Sequence, residues 1–168
     1  TATIYGGAIE NFSGTLSLRG CTLAENHAQF GGGIENNSGG ELWVDSSTFF
    51  QNSAEASGGA IDSFGSIINI SNTTISGNEA GFGAGIFNEQ STANIWQSTI
   101  VENIALSSVG GILTSSEIMP VSTTLHNTIV AGNTELGTTS DLSTDNASFV
   151  DVNQLSSNNL IGDGNSAG

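Results

Sequence analysis

GGAIEN (6–11), GGGIEN (31–36), GGAIDS (58–63), GAGIFN (83–88) and VGGILT (109–114) are one phrase written five times. They place Ile9, Ile34, Ile61, Ile86 and Ile112 in a column with spacings of 25, 27, 25 and 26 residues. Self-similarity at about 20 to 50 residues is the mark of a solenoid or a repeat array. Working outward from each phrase, a second apolar column holds Leu18, Val44, Ile70, Ile95 and Leu125, and a third holds Leu23, Phe49, Ile75, Ile100 and Ile129. Thr22, Thr48, Thr74, Thr99 and Thr128 stand just before the third column, and Asn26, Asn52, Asn78, Asn103 and Asn133 follow it after a short gap.

The alternation Leu16, Leu18, then Leu42, Val44, then Ile68, Ile70 has the two-residue period of a half-buried strand. Three short strands separated by Gly, Asn and Ser turns cannot enclose a core alone. Stacked in parallel, successive coils bury one continuous apolar column. The expected fold is therefore all-β: a right-handed, single-stranded parallel β-helix of about 5–6 coils of 25–30 residues with three short strands per coil. Leucine-rich repeats would show a Leu-x-x-Leu-x-Leu frame, and propeller blades need longer periods. The regular coils run over about 4–133. A sixth, irregular coil is expected over about 134–168, with Leu142 continuing the first column and Leu160 the third. Residues 1–168 thus read as a single β-helix domain, and repeat-like sequence at both ends is expected of a piece of a longer protein.

These words resemble the GGAI and FxxN repeats of polymorphic outer-membrane autotransporter proteins. FxxN stands in full at Phe49–Asn52, with Leu or Ile in place of Phe in the other coils. The coil wording and the tail SSNNLIGDG (156–164) also resemble pectate-lyase-like β-helix repeats of large bacterial surface proteins, including the choice-of-anchor group. The resemblance covers roughly residues 4 to 164. It implies adhesion, surface display or polysaccharide contact, and an extracellular or cell-surface location.

Composition narrows the partners. Of 168 residues, 16 are Asp or Glu and one, Arg19, is Lys or Arg, for a formal charge of −15. Such a chain repels nucleic acid and anionic headgroups, so neither nucleic acid nor direct membrane insertion is expected. Cys21 has no second cysteine with which to form an internal disulfide. Pectate-lyase chemistry needs a basic residue beside calcium-binding carboxylates, and Arg19 stands alone, with Glu41 and Asp45 about one coil away. No two acidic residues are adjacent in the chain. His27 and His126, about four coils apart at roughly 4.8 Å per coil, are too distant for one metal or proton relay.

The asparagines Asn26, Asn52, Asn78, Asn103 and Asn133 are expected to form a structural ladder along the stack, because a turn amide both donates and accepts. Trp43 and Trp96 alternate with inward residues and should face outward, as surfaces for a sugar ring or a neighbouring chain. Glu10, Glu35 and Asp62 each follow a first-column Ile and should form an outward acidic column. It reads either as a solvated stripe or as a calcium site helped by Asn11 and Asn36. No other cofactor is called for.

The reading that results is a non-catalytic surface scaffold or adhesin-like module that binds a partner protein or polysaccharide along a lateral face, or self-associates end to end. The alternative from another class is a polysaccharide-active β-helix enzyme. A filament or an ice-binding face follows less well, since the Thr column is one residue wide.

Overall fold

The computed structural model describes residues 3–118, 120–145, 150–152 and 157–162. Every regular element among them is a strand, and the chain winds into a parallel β-solenoid of about five turns. Four sheets run along it. The first contains Ile9–Phe12, Ile34–Asn37, Ile61–Phe64, Ile86–Glu89, Ile112–Ser115 and Leu142–Asp145. The second contains Thr15–Arg19, Glu41–Asp45, Ile67–Ser71, Thr92–Trp96, Val121–His126 and Val150–Val152. The third is built of the three-residue strands Thr22–Ala24, Thr48–Phe50, Thr74–Ser76, Thr99–Val101 and Ile129–Ala131, ending on Leu160–Ile161.

The fourth sheet is additional to the three columns read from the sequence. It holds Thr3–Tyr5, His27–Phe30, Ser53–Ser57, Glu79–Phe82, Ile104–Ser108 and Thr134–Glu135, with Thr138–Thr139 paired antiparallel at its end. Its inward residues are Ala28, Ala54, Ala80 and Ala105, all buried. Alanine carries little apolar signal, which is why this column is faint in the sequence. The sheet also bulges between Ala28 and Phe30 and between Ala80 and Phe82, where the register shifts.

Parallel in-register pairing puts Ile9, Ile34, Ile61, Ile86, Ile112 and Leu142 in one line. The second column pairs as expected through Leu18, Val44, Ile70, Ile95 and Leu125. With the third column they form one apolar core from Leu23 to Leu142. A single stack thereby solves the burial problem that no coil could solve alone.

One register assignment is corrected. The third column continues from Ile100 to Val130 and Ile161, whereas Ile129 and Leu160 occupy the outward position of Thr99. Val130 is fully buried, while Ile129 is 39% exposed. Thr128 is consequently a buried turn residue in line with Ser98, and not a member of the outward Thr column. TIVAGN carries one residue more than TIVEN, and the coil keeps its end in register, not its start. With Val130 in place, the steps from second column to third and from third column to Asn are 5 and 3 residues in every regular coil. All length variation falls in the two remaining corners.

Two polar ladders brace the two corners of constant length. Asn26 donates to Asn52, Asn52 to Asn78, Asn78 to Asn103 and Asn103 to Asn133, with Nδ2–Oδ1 distances of 2.9, 3.0, 2.8 and 2.7 Å. Each Oδ1 also accepts the backbone N–H of the preceding ladder residue, as at Asn52 to Asn78 (2.9 Å). The ladder ends on Asp141, whose Oδ1 accepts both the N–H and the side-chain amide of Asn133 at 2.7 and 2.8 Å. The second ladder consists of hydroxyls: Cys21, Ser47 and Thr73 donate backbone N–H to Ser47, Thr73 and Ser98. The residues just before them, Gly20, Ser46, Asn72 and Gln97, have positive φ, as does Asn127 before Thr128.

Candidate functional site: a lateral groove between the first and fourth sheets

The Gly pairs that make the phrase recognisable also make the site. Gly31 has φ of 61°, a left-handed conformation that favours glycine. A Cβ on Gly32 would strike the carbonyl oxygens of Gly59 and Ser53 on the next coil. The chain therefore bends sharply there and stacks backbone on backbone. The outward faces of the fourth and first sheets, on either side of that bend, enclose a groove of about 360 Å³, within the usual size range of ligand sites.

Three registered columns line it. The floor is Glu10, Glu35 and Asp62, followed by Phe87 and Leu113. One wall, from the first sheet, is Phe12, Asn37, Phe64 and Glu89. The facing wall, from the fourth sheet, begins with Tyr5 and Phe30, whose rings stack with centroids 5.7 Å apart and planes 22° from parallel, and continues with Ser57.

The structure brings Glu10, Glu35 and Asp62 together in one column, but the column is not a solvated stripe. Glu35 and Asp62 are each only 4% exposed, and Glu10 at the open end is exposed. Their side chains point away from the core, yet into the concave corner between two sheets, a depth that a linear repeat pattern does not carry. Asn11 and Asn36 do not help them. They alternate with the acids, face the interior, and bond one another at 2.7 Å, Asn11 Nδ2 donating to Asn36 Oδ1. Among the described residues no three His, Cys, Asp or Glu side chains form a metal-holding group.

Burial dominates the electrostatics. It raises Glu35 from 4.5 to about 7, against a hydrogen bond from Asn37 and with added repulsion from Glu10. Burial also pushes Asp62 well up, reinforced by the charges of Glu35 and Glu89 and opposed by the Ser57 hydroxyl, which donates to Asp62 Oδ2. Glu89 is raised by burial and then by Glu117. Asn37 Nδ2 donates to Glu35 Oε1 at 3.4 Å, while Glu35 Oε2 and Asn37 Oδ1 are buried acceptors with no hydrogen-bond donor.

No family model matches the chain, and no curated protein or solved structure matches it.

The remaining candidate residues lie elsewhere. Trp43, 46% exposed, and the half-buried Trp96 share the outer face of the second sheet, where they border a shallow depression of about 280 Å³ with Arg19 and Asp45. Arg19 Nε lies 3.3 Å from Asp45 Oδ2. Hydrogen bonds from Asn72 and Ser71, ahead of the Arg19 charge, hold the Asp45 carboxyl below its usual range. His27 bonds Ser53 and lies 3.7 Å from Glu55 on the fourth sheet, and His126 bonds Ser157.

Sequence reasoning missed the aromatic walls. A signal was present: Tyr5, Phe30 and Phe82 each immediately precede the first Gly of a repeat phrase, and Phe12 and Phe64 each stand three residues after a first-column Ile.

Proposed function

We propose that this chain is a binding module of an extracellular or cell-surface protein, a pectate-lyase-like coil stack that holds a polysaccharide in the groove between its first and fourth sheets. The observation that carries the reading is the pairing of aromatic walls with a hydrogen-bonding floor. Tyr5 and Phe30 face Phe12 and Phe64 across Glu10, Glu35 and Asp62. Flat apolar rings accept the C–H face of a sugar, and the carboxylates accept its hydroxyls. The walls belong to rigid stacked strands, so little order is lost on binding. Arg19, the chain's one Lys or Arg, stands on the second sheet and cannot act in this groove as the base of a lyase.

Screening on an array of oligosaccharides tests the reading. Binding should be lost or fall at least about tenfold in a Phe30→Ala variant and stay unchanged in Trp43→Ala. Loss in Trp43→Ala with retention in Phe30→Ala would move the ligand to the second sheet.

A second reading is favoured by one observation: Glu35 and Asp62 are neighbouring carboxyls with raised affinity for protons, which is the raw material of acid–base glycoside hydrolysis. Release of reducing ends from a bound polysaccharide, abolished by Asp62→Asn, would establish it in place of simple binding.

A further inference from the structure

We infer that the groove selects a basic glycan, one whose sugars carry free protonated amino groups, and that the ammonium seats against Glu35 Oε2 and Asn37 Oδ1. The inference rests on the glycan-binding reading and specifies the class of sugar.

Three features of the site point the same way. Glu35 is more than nine-tenths buried and lines the groove, yet its Oε2 has no hydrogen-bond donor, and neither has the buried Asn37 Oδ1 beside it. Buried polar atoms without partners are rare in folded proteins, and each costs free energy until a partner arrives. With Glu35 ionised both orphans are acceptors, and the partner they then lack is a donor. A hydroxyl brings lone pairs along with its single O–H, and an N-acetyl group brings a carbonyl oxygen. An ammonium brings three donors and no acceptor.

Charge gives the same answer. The titratable groups facing Glu35 are Glu10 and Asp62 on the neighbouring coils, Glu89 beyond them and the Tyr5 phenol on the facing wall, and none is a cation. Arg19 is engaged with Asp45 on another sheet. The aromatic walls add their own preference, because ring faces attract a cation held beside them. A bound ammonium would supply the counter-charge that the buried floor lacks, and Glu35 would then release its proton and bind as a carboxylate.

Calorimetric titration at neutral pH with tetramers of glucosamine, N-acetylglucosamine and glucose tests the inference. The glucosamine tetramer should bind at least about tenfold tighter than the other two, a margin that one charge-assisted contact can supply. Glu35→Gln keeps the shape of the side chain and should remove that margin, bringing the glucosamine tetramer to within about twofold of the neutral tetramers whatever their own affinity becomes. A melting curve verifies that the variant is folded. Equal binding of all three tetramers by the unmodified protein would overturn the ammonium inference and leave the glycan reading standing. Binding of none would overturn both. A margin that survives in Glu35→Gln would also overturn the inference, because the amino group would then be recognised elsewhere.

Discussion

Replacing Glu35 with Gln offers the sharpest test of the acidic floor, because the consequence for stability changes with pH. In the fold Glu35 keeps its proton up to about 7, compared with 4.5 for an ordinary glutamate, chiefly because it is buried. Between those two values the native chain binds more protons than the unfolded one, so its stability falls as pH rises through the window. Below the window the contribution is fully present, and above about 7 it is lost. At about 1.4 kcal/mol per unit the shift corresponds to about 3 kcal/mol, which openness of the groove to water reduces to about 2 to 3 kcal/mol. Glutamine cannot ionise, so the variant should be more stable than the unmodified protein by about 2 kcal/mol at about pH 8 and nearly equal to it at about pH 4. Urea unfolding followed by circular dichroism at both pH values measures the difference. Glu89 is raised in both proteins, whereas Asp62 is raised in part by the Glu35 charge, so the difference between the two proteins reports Glu35 together with the relief it gives Asp62, and both act in the same direction. A variant equally destabilised at both pH values would refute the argument, since the loss would then lie in packing and not in a buried charge.

Two further predictions concern the stack itself. Asn78→Ala should cost about 1 to 3 kcal/mol by stranding backbone groups of adjacent coils. Asn133→Ala should cost as much, because Asp141 closes the ladder beneath it; denaturant melts showing Asn133→Ala to be nearly free would mean that the ladder frays at that end. Val130→Ala should lose about 2 to 3 kcal/mol and Ile129→Ala about 1 kcal/mol or less, since only the former leaves a cavity. The reverse order in thermal melts would restore Ile129 to the core column.

The fold was legible in the sequence because each coil repeats the same burial problem. A column such as Ile9, Ile34, Ile61, Ile86 and Ile112 names its own neighbours once the period is seen. The ladder asparagines were legible for the same reason, as stacking converts a recurring letter into a recurring bond. The fourth strand was not, because Ala28, Ala54, Ala80 and Ala105 resemble loop residues until the corner around them is closed. The slip at Ile129 arose where one extra residue made two alignments of TIVAGN equally natural, and only the burial of Val130 separates them.

For the groove, the sequence alone determined which residues share a column: Glu10, Glu35 and Asp62 follow from period and alternation. Alternation assigns a side chain to the inner or outer face of its own strand and carries no information about the angle between two sheets. That angle is created at Gly31–Gly32 and its counterparts, and it folds an outer face into a concave one. Only the tertiary structure therefore decided that these carboxyls are buried, that Tyr5 and Phe30 confront Phe12 and Phe64 across them, and that Glu35 holds its proton near neutral pH. Burial depends on what the chain brings near from other coils, and desolvation of a charge follows from burial, not from the letters beside it.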